Sequence, residues 1–200
     1  MKPILRVLYV SSWLSWFAAS LFGPIYAIFV QQIGGDVLDA GIAYAIFSIV
    51  MGIFTLLMGK LEEKTFDRRK SLVWGYAILM GATIGYVSVQ SPYQLFIVQA
   101  CMGIGAAINY TAWDALFSHA VEKGKESVEW GTQEGGMQIV AGVAAIAGSF
   151  VVATFGFDVL FLGMAFIQSL SIAAALSLFR KRHHVLRHAR LRKYHNVHHR

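Results

Sequence analysis

Gly59-Lys60-Leu61-Glu62-Glu63-Lys64-Thr65-Phe66-Asp67-Arg68-Arg69-Lys70 is a dense charge cluster set between two long apolar runs. Five of its twelve residues are basic and three acidic, whereas the nineteen residues from Ala40 to Met58 carry no charge. A Lys, Arg or Asp at the centre of a membrane helix costs about 2.5–3.5 kcal/mol to insert. The cluster therefore reads as an aqueous loop pinned between two membrane spans.

Working outward from it, apolar runs of about twenty residues, the length an α-helix needs to cross about 30 Å of hydrocarbon, occur six times. They cover about 7–32, 40–59, 71–90, 94–119, 131–154 and 158–179. The separators are short: Ile33–Asp39, the charge cluster, Ser91-Pro92-Tyr93, Ala120–Trp130 and the turn Phe155-Gly156-Phe157. Short links between long helices make antiparallel neighbours. The expected fold is all-α, a polytopic membrane protein with one six-helix bundle over 1–179 and a basic, His-rich tail over 180–200. The first run is too long for the roughly 7–15-residue core of a signal peptide and reads as a retained span.

Composition agrees. The chain is 56% hydrophobic and only 14% charged, against roughly 25% charged for ordinary soluble domains. Cys101 is the single cysteine, so no intrachain disulfide forms. With the N-terminus inside, all seventeen Lys and Arg fall on one side, in 1–6, 60–70, 120–130 and 180–200, and the other side receives only Asp36, Asp39 and Asp158. The positive-inside rule then makes both termini cytoplasmic in a cell (inner) membrane protein.

Inside the spans, Gly23-Pro24 interrupts the first helix, since proline removes a backbone hydrogen bond. Such a break is either a packed kink or the wall of a wet cavity. The second span carries Gly41, Gly52 and Gly59, and the fifth Gly131, Gly135, Gly136, Gly142 and Gly148. Small residues let helices approach closely; a packed contact and a sliding one are both open. The fourth span is the most polar, with Gln99, Asn109, Tyr110, Thr111, Trp113, Asp114, Ser118 and His119. Asn109 and Trp113, four apart, share a face that is expected to look inward, as a functional surface or as interhelical glue.

These residues resemble the N-terminal half of a major facilitator superfamily transporter. That family's loop between spans two and three reads Gly-x-Leu-x-Asp-Arg-x-Gly-Arg-(Arg/Lys). Gly59-Lys60-Leu61-Glu62-Glu63-Lys64 is similar to its front, and Arg68-Arg69-Lys70 to its end, displaced by one residue and without the second Gly. Gln99-Ala100-Cys101-Met102-Gly103-Ile104-Gly105-Ala106-Ala107 resembles the fourth-span Arg-x-x-x-Gly-x-Gly-Ala-Ala motif, and Ala153–Phe161 the turn between spans five and six. The resemblance implies a half bundle built as a 3+3 inverted repeat, with spans one and four lining a solute cavity. Its candidate residues are Trp13, Trp16, Tyr26, Gln99, Asn109, Tyr110 and Trp113. Gln99 stands where the family carries its fourth-span Arg, which leaves no charge expected near the midplane and favours a neutral or amphipathic solute.

The resemblance also implies a cytoplasmic gate made of Gly59, Leu61, Glu63, Lys64, Arg68, Arg69 and Asp114, with Asp114 paired to Lys64 or Arg68. The plainer reading is that the cluster only enforces topology. The expected function is movement of a small solute by alternating access, completed by self-association or a second six-helix half. The alternative is a non-transporting half bundle, or an inactive fragment, whose tail binds anionic lipid or a partner. Six of the seven histidines lie in that tail, where neighbouring arginines disfavour a metal. The expected partners are the bilayer and the solute, with no nucleic acid, no metal, no cofactor and no enzymatic activity.

Overall fold

A computed structural model describes residues 2–62 and 67–197, and side chains as far as Phe179 apart from Glu62. Among them are seven α-helices and no strand. Helix α1 (Pro3–Phe22) and α2 (Tyr26–Gln32) are joined by a 3-10 turn at Gly23–Ile25 and together form the first span. Helices α3 (Val37–Glu62), α4 (Arg68–Gly85, extended by a 3-10 turn to Ser88), α5 (Pro92–Ala120), α6 (Glu126–Phe155) and α7 (Phe157–Val197) supply the other five. Six helical segments are long and apolar enough to cross a membrane. The chain is a multi-pass membrane protein.

The helix ends follow from local chemistry. Asp36 and Asp39 cap α3 reciprocally, each backbone N–H donating to the other's carboxylate at 3.0 and 2.9 Å; this satisfies donors the first turn leaves unpaired. Asp67 caps α4 by accepting from Arg69 N–H at 3.1 Å. Helix α6 begins at Glu126, five residues earlier than the apolar run implies. Glu126 and Glu129 lie in its first turn, where acids are favoured by the helix dipole. Gly156, at φ 84°, reverses the chain between α6 and α7, a conformation that only glycine adopts without strain.

Helix α1 packs on α6 and α7, α5 packs on α3 and α4, and α4 packs on α7. Replacing each of the first three spans by its counterpart among the last three maps the α1–α6 contact onto α5–α3 and the α1–α7 contact onto α5–α4, and leaves α4–α7 unchanged. The second helix of each triplet thus packs on the first helix of the other. This is the contact pattern of a 3+3 repeat.

Two apolar clusters hold the bundle. One, at the end away from the basic loops, gathers Phe22, Phe29, Tyr86, Phe157 and Phe161, with Phe22 edge-on to Tyr26, Phe29, Tyr86 and Phe161 at 5.1–5.6 Å between centroids. The other, at the basic end, joins Leu5, Leu8, Tyr9, Leu72, Tyr76, Trp113, Phe117 and Leu178. The break at Gly23-Pro24 is packed on one side, where Phe22 and Ile25 are buried, and open on the other, where Gly23 and Pro24 are exposed.

Close helix contacts fall on only part of the expected glycines, Gly136 and Gly148 of the fifth span, and on others besides. A Cβ on Gly41, Gly52 or Gly59 would meet nothing within 4 Å, and the same holds for Gly131, Gly135 and Gly142. The α3–α5 contact closes on Gly103, where a Cβ would lie 2.7 Å from Phe47 O. Gly75 meets the Asn109 backbone at 2.6 Å. On α6, Gly136 lies against the Trp13 ring and Gly148 against the Leu21 carbonyl. Among the described residues, the second-span glycines therefore have no close helix contact.

Candidate functional site

The residues expected to line a cavity divide into two groups. Trp113 is buried: its indole N–H donates to Leu8 O at 3.2 Å, and its ring stacks on Phe117 at 4.6 Å and lies edge-on to Trp130. Asn109 is half-buried against Gly75 of α4, and its Nδ2 has no hydrogen-bond partner among the described residues. Trp13 is half-buried, with its N–H on Gln133 O at 3.3 Å. The two tryptophans fasten helices inside the chain, whereas Asn109 meets α4 chiefly through its backbone.

Of the others, Trp16 and Tyr110 face outward, and Tyr26 and Gln99 pair with each other between helices. Trp16 is 41% exposed and Tyr110 55%. Gln99 is buried and donates from Nε2 to the Tyr26 hydroxyl at 2.8 Å, bridging α2 and α5. Gln99, Gly103, Ala106 and Tyr110 recur at i, i+4, i+7 and i+11, one stripe of α5. Trp16, Ala19 and Gly23, all exposed, recur at i, i+3 and i+7 along the first span. The Tyr26–Gln99 hydrogen bond ties the two stripes together.

Helices α3 and α6 are the least buried of the bundle, and each shows two uncovered stripes. On α3, Gly41, Ala45, Ser48, Gly52, Thr55 and Gly59 form a small and polar stripe beside an apolar one that includes Ile42, Ile49, Ile53 and Leu56. On α6, Gly131, Gly135, Gln138, Gly142, Ala145 and Ser149 form the first stripe, and Ile139, Val143, Ile146 and Phe150 belong to the second. The small stripes are in register at a uniform offset of ninety residues, from Gly41/Gly131 to Gly59/Ser149. The apolar stripes suit lipid. The small ones are the composition that membrane helices use against other helices.

Glu134 lies on the small stripe of α6, exposed and about 12 Å along the helix from Glu126 at 1.5 Å per residue. It places a carboxylate within a span, nearer the Glu126 end of the 30-residue helix than its middle, and leaves the expectation of no charge near the midplane as it stood. Its signal was visible in the sequence, since it is the one carboxylate within 131–154. Gln133, one residue away, is buried; its amide exchanges hydrogen bonds with Ser12 on α1 and reaches Met137 Sδ.

The model of the Major Facilitator Superfamily matches residues 8–196. The chain belongs to the Major Facilitator Superfamily. Among curated relatives, the uncharacterized MFS-type transporter YitZ of Bacillus subtilis (strain 168) is 27% identical over 158 residues, 78% of this chain and 94% of YitZ. Among solved structures, the POT family transporter PepTSo superposes with a TM-score of 0.71 at 13% identity, over 91% of this chain. The chain spans only 38% of the length of PepTSo, so the shared fold is a six-span half bundle.

In this superfamily member the expected gate is distributed as follows. Gly59 ends the small stripe of α3, and Leu61 is 47% exposed. Glu63 and Lys64 lie outside the described residues. Arg68 does not pair with half-buried Asp114: its Nη1 approaches His119 Nε2 at 3.5 Å, while Arg69 Nη1 donates to Leu178 O at 3.2 Å. The described acid beside these arginines is Asp67, and its carboxylate caps α4. The reason is geometric. Arg68 opens α4 on the side of the last turn of α5, opposite His119 and more than a turn beyond Asp114.

Across the same end, the loop after α5 is tied down. Glu129 accepts Glu122 N–H at 3.0 Å, Tyr9 donates its hydroxyl to Glu129 O at 3.0 Å, and Lys125 pairs with Glu122 at 2.8 Å. The hydrogen bond from Lys125, and then its charge, hold the Glu122 carboxyl below the ordinary carboxylate range.

Proposed function

We propose that the chain moves a small solute across a cell membrane by alternating access, as one half of a two-half assembly whose second half is another copy of itself. The observation that carries this reading is the pair of small, polar, uncovered stripes on α3 and α6. Polar groups in a span are costly against lipid, and small residues gain most from a close helix partner. A two-fold axis along the membrane normal brings α3 of one copy antiparallel to α6 of its partner. The two stripes, equal in length and spacing, then meet.

The solute path lies between the halves, along Trp16, Tyr26 and Gln99 towards Tyr110. Glu134 and Gln138 stand at its rim. With N- and C-termini cytoplasmic, the loop around Gly59–Lys70 works at the inner mouth. There Asp114 awaits a cation from the loop, Lys64 being the candidate left by the engagement of Arg68 with His119. Membership of the superfamily and a relative named as a transporter support transport as the activity.

The test is uptake into proteoliposomes, using a solute panel narrowed by thermal-shift screening of the purified chain. Saturable uptake above protein-free vesicles is expected for a solute that shifts the melt. It should be lost in Gly52→Leu and Gly142→Leu, which crowd the stripes at positions where an added Cβ meets no described atom within 4 Å. Undiminished uptake in both variants would overturn the two-half reading, and absence of uptake across every shifting solute would overturn transport.

A further inference from the structure

Where α1 begins, α4 begins and α5 ends, the bundle leaves a cleft of about 330 Å³. Lys2, Arg68, Arg69 and His119 line it, together with the apolar Ile4 and Leu116, and among the described residues none that lines it is acidic. Both arginines are half-buried as residues. Each basic group is held in place by a neutral acceptor. Lys2 Nζ donates to Ala120 O at 2.8 Å and Arg69 Nη1 to Leu178 O at 3.2 Å. His119 Nδ1 sits 2.7 Å from Ala115 O, so it carries the hydrogen, and the Nε2 lone pair is left facing Arg68 Nη1 at 3.5 Å.

The described carboxylates nearby are committed elsewhere. Asp67 caps α4 through Arg69 N–H, and Glu122 is paired with Lys125. Three cationic side chains thus converge on one cavity, held by neutral acceptors. Convergent donors of this kind, two of them planar forks, match the oxygens of a phosphate group. Depth points the same way. The cleft lies at the level where three spans begin or end, which is where lipid headgroups lie.

We propose that this cleft binds a phosphate-bearing anion, with Arg68 and Arg69 clamping the phosphate oxygens and Lys2 supplying the third charge. The group is either the headgroup of an anionic phospholipid or free phosphate. The site is complete within one chain, so it stands or falls apart from the two-half reading.

The full chain is reconstituted in nanodiscs of phosphatidylcholine alone, of phosphatidylcholine with phosphatidylglycerol, and of phosphatidylcholine with inorganic phosphate in the buffer. Retained adducts are counted by native mass spectrometry, and thermal midpoints are read in parallel. A retained adduct and a raised midpoint are expected in at least one anionic arm, and the arm that gives them names the source. Arg68→Gln and Arg69→Gln should each weaken binding about tenfold, as loss of a charged hydrogen-bond partner does. Arg6→Gln, an exposed cation at the same end but outside the cleft, should leave binding unchanged. Arg68→Lys and Arg69→Lys keep the charge and lose the fork, so they should bind with intermediate strength; these serve if the Gln variants fail to fold. Equal losses in Arg6→Gln and the cleft variants would overturn the proposal, as would no retained anion in either anionic arm.

Discussion

At the scale of single residues, the chain separates side chains that hold it together from those it offers outward, and glycine makes the division measurable. Gly148 faces the Leu21 backbone and Gly142 faces open space, although they are six residues apart on one helix. Gly148→Ala forces a methyl against a carbonyl and should destabilise the folded chain by about 1–3 kcal/mol, the usual range for overpacking. Gly142→Ala should leave the thermal midpoint in detergent unchanged. Gln99 offers a second case. Gln99→Leu strips the Tyr26 hydroxyl of its partner and should cost about 0.6 kcal/mol, the average for hydrogen bonds between membrane helices. A chemical-denaturation curve with the same midpoint as wild type would show that the bridge between α2 and α5 contributes nothing. Trp113 and Asn109 mark the limit of reading such residues from sequence. Their polarity is visible, but whether they face a cavity or a neighbouring helix is not. In a bilayer, lipid and core are equally apolar, so no hydrophobic stripe marks the buried side.

Helices and the loops joining them were the most legible scale. Run length and the one-sided distribution of Lys and Arg delivered six helices, because hydrocarbon thickness and charge insertion cost leave little freedom. Boundaries moved where charged residues are themselves good helix starts, as at Glu126 and Glu129. The cap at Asp67 lies inside the charge cluster that organises the reading; Asp67→Ala should cost about 1 kcal/mol, seen as a lower thermal midpoint. The loop after α5 carries a pH dependence of known sign. Because the Glu122 carboxyl is held below its ordinary value by Lys125, the pairing contributes above the unfolded carboxylate pKa and is lost as pH falls through the folded one. Lys125→Met should therefore flatten the acid limb of a melting-temperature profile, and an unchanged limb would assign that limb to other carboxylates. The gate gives a further expectation. Asp114→Asn should shift the balance of inward- and outward-facing forms in spin-label distance distributions across the inner mouth, whereas identical distributions would leave the charge cluster with topology alone.

For the whole molecule, the informative surface is the one the chain does not use itself. The ninety-residue register between the stripes of α3 and α6 is written in the sequence, yet it emerges only when both helices are seen to be uncovered, since the same glycines suit an internal contact equally well. On the proposal that a second copy completes this half bundle of the Major Facilitator Superfamily, the two matched stripes meet on that face. Disulfide cross-linking in native membranes tests this most directly, in a Cys101→Ser background with Gly52→Cys and Gln138→Cys introduced together. These positions lie at equal depth when α3 runs antiparallel to a partner's α6. The expected result is a product at twice the 22.1 kDa chain mass, absent when Ile53→Cys and Val143→Cys on the apolar stripes replace them. No product from the first pair, or equal product from both pairs, would contradict a transporter assembled from two copies through these stripes.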